Sequence, residues 1–413
     1  MQTQKTSGGD MTQITRADIL IGRPLAFDCY DEHGNLLLHR GMIVTSERQA
    51  EMLIERGLFS GKEKAAEKDK AVAPKGIKLI PFEVFETCKD RMRSLFSIIK
   101  MDMGTKLPER VVFEELKCSY RSILSNMAGG KPANFPEKII NVCRGIQELC
   151  KADADAAIGA IHLDHVCRYT TIHPLHKAVL SELLARRLNM ALSERLSIMA
   201  AALTSNISVI NLQELLHSQR TPLSAAQKEM VRLHPQLSVE MLSELGVSDD
   251  LWLRTVLHHH ENPRGNGYPH ARKGGEISPH ARIVALSDMY GAMIKPRAYR
   301  EALHAKDALR DIFTARCEED DKELVHAFIK EIGIYPPGCF VRLQNGETAV
   351  VIRRGESSNT PKVKSILDAF GMPLHHFVTR DTSLKQHAIN AVVPRNKNIS
   401  LNFRSLWDYK MAA

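Results

Sequence analysis

Five residues of this chain have types and an order suited to one chemical task. His259 and His260 are adjacent where an apolar helical pattern ends, so both rings can aim at one centre as the chain turns. His234 stands alone upstream, His173 lies further upstream, and Asp288 follows. Imidazole and carboxylate together suit Fe, Mn or Zn, and such ions activate water against phosphoesters. Twelve of the 18 histidines fall between His162 and His304, where even spreading would place about six. The clustering points to a metal or phosphate site. The spacing by itself is unspecific, because any histidine-rich helical chain offers such sets, and a run of exposed helical histidines is the competing reading.

Those residues need rigid elements to hold them. From about Pro81 to Ile329 the pattern is helical; Leu175, Val179, Leu183, Leu184 and Leu188 recur at three- and four-residue steps. Thr221-Pro222 opens a helix carrying Ala226, Met230 and Leu233, and Pro235 is expected to begin a new one that ends before Gly246. Asp249 and Asp250 cap the next helix, which Asn262-Pro263 stops. The two ends read differently. Ile19-Leu20-Ile21, Leu25-Ala26-Phe27 and Leu36-Leu37-Leu38 look like strands, with a turn at Asp31 to Asn35 and a helix from Thr45 to Gly57. After Gly333, Val341, Leu343, Thr348, Val350, Val351 and Ile352 are strand-like around the turn Asn345-Gly346.

The expected fold is therefore mainly α, an all-helical domain flanked by two small β-rich units. The boundaries drawn are 1–60 for the N-terminal β-rich domain and 61–79 for a flexible charged linker. A helical lead-in covers 80–149, the helical domain 150–332 and the C-terminal β-rich unit 333–393. Residues 394–413 form a tail expected to be poorly anchored.

Bulk properties narrow the partners. Of 413 residues, 44% are hydrophobic and 25% charged, an ordinary globular composition. The formal net charge of +8 permits an anionic partner but does not demand nucleic acid, and with 6% aromatics and no recognisable module none is expected. No apolar run approaches the roughly 20 residues of a membrane span. Met1 to Asp10 is polar without an apolar core segment, so no secretory signal is expected. The eight cysteines form no Cys-x-x-Cys pair and read as reduced core thiols, so a cytoplasmic location is expected.

The residues between the histidines are more specific than the histidines. His259-His260-Glu261-Asn262-Pro263-Arg264-Gly265-Asn266-Gly267-Tyr268-Pro269 resembles the HHE-x-x-x-G-x-G-Y-P signature of the HD-GYP family, within the HD phosphohydrolase superfamily. Leu233-His234-Pro235, Ala281-Arg282-Ile283, Asp288 and Arg297-Ala298-Tyr299-Arg300 resemble its flanking motifs, and His173 matches its first histidine. The resemblance covers roughly residues 150 to 330. It implies an HD-type helical domain, a bacterial source and a link to cyclic di-GMP, whose hydrolysis is the family's best-known activity. It also makes His173, His234, His259, His260 and Asp288 candidate metal ligands. Gly265, Gly267, Tyr268, Pro269, Arg297 and Arg300 become candidate ligand-binding residues. Alternatives stay open beside these: a purely structural turn for the glycine loop, surface salt bridges for the two arginines.

The chain departs from the family at its namesake. After Ala201-Ala202-Leu203, where active members carry H-D-x-G-K, it has Thr204-Ser205-Asn206-Ile207-Ser208. Thr204 takes the histidine position, Ser205 that of the aspartate that bridges two metals in the family, and Ser208 that of the phosphate-facing lysine. A neutral serine cannot replace a bridging carboxylate between two divalent ions. Tyr169 stands where three-metal members place a glutamate, Arg264 replaces an aspartate, and Gly291 holds a commonly acidic position.

Three readings follow. The first is a non-hydrolytic HD-GYP-type protein that binds cyclic di-GMP or a related nucleotide, or a signalling protein partner. The second is an active metal-dependent cyclic di-GMP phosphodiesterase with an altered metal site, with Thr204, Ser205 or Asp164 as substitute ligands. The third is a basic adaptor. The cofactor expectation is one Fe, Mn or Zn ion held by the remaining histidines, or none. His258, His270, His280 and His304 have no motif partner and are expected to face solvent.

Overall fold

In the computed structural model the described residues are 109–128, 132–164, 168–316, 321–395 and 406–407, together with 11–19, 27–30, 36–38, 59–61 and a few single positions near the N-terminus. The chain divides into two compact units, 1–107 with 410–413, and 108–409.

In the first unit, four short strands form an antiparallel sheet: β1 (Met11–Gln13), β2 (Cys29–Tyr30), β3 (Leu36–Leu38) and β4 (Phe59–Gly61), in the order β1-β4-β2-β3. The strand expected at Leu36–Leu38 is present. Ile19 instead closes a short 3-10 turn at Arg16–Asp18, where Asp18 accepts from the backbone N–H and hydroxyl of Thr15. Leu25 is buried outside any strand. The turn at 31–35, nearly all of the expected helix after Thr45, and the linker beyond Gly61 lie outside the described residues.

The second unit is mainly α. Its helices are α1 (Glu109–Ala128), α2 (Phe135–Ala152), α3 (Ala154–Leu163), α4 (Tyr169–Arg187), α5 (Leu192–Thr204), α6 (Ile210–Ser218), α7 (Ala225–Glu244), α8 (Asp250–His258), α9 (Pro279–Met293), α10 (Ala305–Arg316) and α11 (Lys322–Ile332). The middle of the unit is α4, buried on every side from Tyr169 to Ala185. Such a helix carries no amphipathic stripe. Around it, Val142, Ile146, Ile198, Met199, Ile283, Leu286 and Phe328 complete one continuous core.

Two local readings need correction. The first concerns Pro235, which does not start a helix: α7 runs through it from Ala225. The helix begins three residues later than expected, because Ser224 accepts from the Gln227 N–H and Gln227 returns to the Ser224 N–H, a capping box. The second concerns the tail. Leu406 and Trp407 are buried in the helical core. The indole lies so close to Gly159 that any Cβ there would meet the ring at 2.5 Å. Arg395 also donates to the Leu163 carbonyl at 2.6 Å.

One stretch, Leu192–Ser218, is long and apolar enough to cross a membrane by length and composition, contrary to the expectation that no such run exists. It comprises α5, a 3-10 turn and α6, and 67% of its apolar window is buried inside the unit, as in a core helix.

The C-terminal β-rich region is a five-stranded antiparallel sheet of β5 (Phe340–Leu343), β6 (Thr348–Arg353), β7 (Lys362–Leu367), β8 (Pro373–Asp381) and β9 (Ile389–Val392), in the order β8-β7-β6-β5-β9. The expected Asn345-Gly346 turn joins β5 to β6, with Gly346 at φ +86°. Along β6 alternate residues face opposite ways. Val350 and Ile352 join the helical core, whereas Ala349 and Val351 form a second small core with Val341, Leu343 and Val363. Arg353 pairs with Asp153, and Arg354 pairs with Asp155 and Glu331, fastening the sheet to α2, α3 and α11.

Candidate metal centre and ligand cavity

His234, His259 and His260 converge, their nearest ligand atoms all within 4.8 Å of one another. The backbone fixes two of the rings. Proline has no N–H, so Pro235 leaves the carbonyl of Val231, four residues back, without its helical donor. His234 Nδ1 takes that place at 2.6 Å. In the last turn of α8 the carbonyls again lack helical partners, and His259 Nδ1 donates to Val256 O at 2.7 Å. A carbonyl only accepts, so both Nδ1 atoms carry the proton and both Nε2 atoms present lone pairs. Those two Nε2 atoms face each other at 3.4 Å.

Burial keeps this trio neutral. It pulls His234 down to about 4 and His260 to about 3, and it pulls His259 well below its ordinary range, with its two histidine neighbours adding to the effect. The donor set fits one divalent cation. Two nitrogens each about 2.0–2.1 Å from a tetrahedral zinc lie about 3.3–3.4 Å apart, which matches the facing Nε2 pair. His260 completes the set while stacking on Tyr268, ring centroids 4.7 Å apart.

His173 and Asp288 are arranged otherwise. His173 Nε2 donates to Asp288 Oδ1 at 3.0 Å, and the same oxygen accepts from Lys177 Nζ at 3.1 Å. Lys177 is fully buried, and its ammonium also donates to Ser205 Oγ at 2.5 Å. Burial alone would raise the Asp288 carboxyl, but the Lys177 charge and the His173 hydrogen bond outweigh it and hold the group well below the usual range. Gly291 backs the His173 ring, where a Cβ would meet Nδ1 at 3.2 Å. In this group a cation supplied by the protein already holds the Asp288 and Ser205 oxygens, and His173 Nδ1 is left without a hydrogen-bond partner. The four residues do not fit a second metal ion.

Lys177 escaped the sequence reading. The signal was present: it lies four residues after His173, one helical turn on, and so shares its face. It is also a charged residue among Leu175, Ala178, Val179 and Leu180.

The replaced motif positions have structural partners. Thr204 donates to Ala200 O at 2.7 Å and accepts the indole N–H of Trp252 at 2.8 Å, inside the core. Ser208 donates to the His234 carbonyl at 3.1 Å and shares a 2.9 Å hydrogen bond with Ser238. Asp164 pairs with Lys117 and lines no part of the cavity described below, so it supplies no substitute ligand there.

A cavity of about 540 Å³ opens beside the trio, lined by His173, His234, His260, Tyr268 and Asp288 on one side and by Tyr169, Arg220, Arg297 and Tyr299 on the other. Tyr169 is sandwiched between His173 at 4.7 Å and His217 at 4.9 Å. Arg297 covers the tyrosine ring at 5.5 Å and donates to the hydroxyls of Tyr169 and Tyr299. Arg300 is turned elsewhere, donating to the Ala292 carbonyl in α9 at 2.7 Å.

The loop carrying Gly265, Gly267, Tyr268 and Pro269 is held by the buried Glu261, whose carboxylate accepts from the His270 and Arg272 backbone N–H groups. At Gly267 a Cβ would lie 2.6 Å from the backbone of His260, Glu261 and Asn262, so the loop folds over the histidine pair only without a side chain there. Pro269 follows a cis peptide bond and is absent from the cavity lining. Of the four histidines expected at the surface, His258 is buried and pulled down to about 4 by burial. His280 is partly buried and pairs with Glu194. His270 is exposed, and His304 is partly exposed.

The HD domain family matches residues 157–322. The chain is 31% identical over 216 residues to a cyclic di-GMP phosphodiesterase of Pseudomonas aeruginosa, covering 52% of each protein. It is 27% identical over 215 residues to a 3'3'-cGAMP-specific phosphodiesterase of Vibrio cholerae, covering 51% of this chain and 46% of that one. The chain thus spans about half the length of these relatives. A solved HDG"Y"P protein of Bdellovibrio bacteriovorus superposes with a TM-score of 0.50 at 12% identity, over 78% of this chain and 99% of that one, a likeness of fold.

Proposed function

Because the chain carries an HD domain, we propose that it acts in cyclic dinucleotide signalling as a non-hydrolytic receptor, taking cyclic di-GMP or a related nucleotide into the cavity beside the histidine trio. The relatives named as cyclic di-GMP and 3'3'-cGAMP phosphodiesterases supply the ligand class. The observation that carries the reading is the fate of the bridging position: Ser205, a neutral residue, stands there and is bound by the Lys177 ammonium, which also holds Asp288. Hydrolysis of a phosphodiester needs an activated water and a charge clamp on the phosphoryl oxygens. The trio can hold one ion, and that ion would supply Lewis-acid charge for a bound phosphate. Arg297 supplies the guanidinium, with paired donors suited to a second phosphate oxygen. Tyr268, half-buried in the cavity wall, supplies a flat surface for a purine ring.

A cytoplasmic location and a protein partner that reads the bound state belong to the same proposal. The intact trio, with the tautomers of His234 and His259 fixed, favours the second reading, a phosphodiesterase working through one ion.

The test is binding and turnover measured together. Purified chain and cyclic di-GMP are studied by calorimetry and by chromatography of the nucleotide. The expected outcome is binding without linear product, weakened about 10- to 100-fold by Arg297→Ala. Turnover that His259→Ala abolishes would overturn the receptor reading in favour of the phosphodiesterase.

A further inference from the structure

We propose that Lys177 is a built-in replacement for a metal ion, and that its ammonium restricts the centre to a single divalent cation held by His234, His259 and His260. The inference rests on the metal-holding part of the reading above, and it assigns to this chain a residue that sets how many ions it takes.

Four observations converge. The ammonium is fully buried, on a helix buried on every side, so it is not a surface lysine that happens to lean inward. Its hydrogen-bond partners Ser205 Oγ and Asp288 Oδ1 are oxygens a second cation would need. His173, the nitrogen on that side, already donates its Nε2 proton to the same Asp288 oxygen, so that lone pair is unavailable to a metal. Finally, the charge is self-consistent: one carboxylate, 15% exposed at the cavity wall, faces one buried ammonium, and Ser205 adds a neutral acceptor. A divalent ion entering beside Asp288 must expel the ammonium or sit against it, and repulsion between buried like charges is severe. The trio differs on each point. Among the described residues no protein cation is hydrogen-bonded to its rings, its ligand atoms converge, and the Nδ1 protons of His234 and His259 are held by backbone carbonyls.

The experiment counts ions on the full chain, using Co²⁺ and Zn²⁺ after stripping with a chelator. Crystals soaked in Zn²⁺ should show one anomalous peak, among the three histidines. A peak at coordination distance from Asp288 Oδ1 in the wild-type protein overturns the proposal without any variant. In solution the wild type should take one Co²⁺, with any second ion at least about 100-fold weaker. Ser205→Asp alone should still take one, because Lys177 pairs with the new carboxylate. The double variant Lys177→Met, Ser205→Asp should take two, within about tenfold of each other in affinity. It carries two carboxylates with no lysine beside them, so its melting temperature should rise steeply with the second equivalent of ion.

A double variant that is folded by circular dichroism yet gains no ion over the wild type overturns the proposal. Failure of the trio is distinguishable. If the wild type binds no ion, the metal part of the proposed function falls, and Lys177 is judged by whether the double variant gains one.

Discussion

His234, His259 and His260 turn three neutral rings toward one point, whereas His173 and Asp288, which line the same cavity, are drawn to the buried Lys177 and Ser205. The first group leaves lone pairs convergent and is completed from outside. The second contains both charges it needs. A histidine and an aspartate that the sequence places with the other ligands are thus diverted by one lysine a helical turn away. Ligand type alone does not define a metal site; the site also depends on whether a protein cation already holds the same oxygens.

The sharpest way to break this contrast is Lys177→Met. The substitution keeps volume but leaves the Asp288 carboxylate buried with only His173. Breaking a buried pair by removing one partner costs about 3–5 kcal/mol. Denaturant unfolding at pH 7 should show a loss of that size, partly recovered by Zn²⁺ as the vacated oxygens become ligands. A loss under about 1 kcal/mol would mean the ammonium is not what balances Asp288.

Acid unfolding separates the trio from the Asp288 carboxylate by pH, while His173, also pulled down by burial, titrates alongside the trio. His234 is held near 4 and His260 near 3, against about 6.5 unfolded. The unfolded chain then binds more protons between those values. Stability is full above about 6.5 and is lost as pH falls through about 4, with His234 alone accounting for about 3 kcal/mol. Asp288 is depressed below its unfolded 3.8, so its contribution is present above 3.8 and lost only as pH falls further. The metal-free protein should therefore weaken first between 6.5 and 4. Zn²⁺ should push that first loss to lower pH, because the ion competes with protons for the same nitrogens. A single transition below 4, unmoved by zinc, would show that the trio is neither buried as described nor metal-binding.

Much of this was legible beforehand, for physical reasons that can be named. The signature from His259 to Pro269 compresses a turn, two candidate ligands and a close backbone approach into eleven residues, and few other sequences meet all three needs. The hairpin at Asn345-Gly346 was readable because φ +86° suits glycine. Pro235 misled because proline is disfavoured inside helices, yet here the His234 ring takes over the orphaned Val231 carbonyl. Trp407 was hidden because its seat exists only once α3 places Gly159 under the ring. Lys177 was hidden because a buried lysine reads as a solvated one until its partners, 28 and 111 residues away, are brought to it.

The smallest effects sharpen the comparison most, because two serines of one lost motif serve opposite groups. Ser205 accepts from the Lys177 ammonium, whereas Ser208 braces the His234 carbonyl and Ser238. Each, changed to alanine, should cost about 1–2 kcal/mol in denaturant unfolding, the worth of one or two hydrogen bonds. Their effects on Zn²⁺ should differ. Ser208→Ala removes a support behind a ligand and should lower affinity up to about 10-fold. Ser205→Ala removes a partner of the lysine alone; Asp288 still holds the ammonium, so affinity at the trio should stay within about twofold. If Ser205→Ala weakened zinc more than Ser208→Ala did, the serine hydroxyl would belong to the metal's surroundings, and the boundary drawn between the two groups would lie in the wrong place.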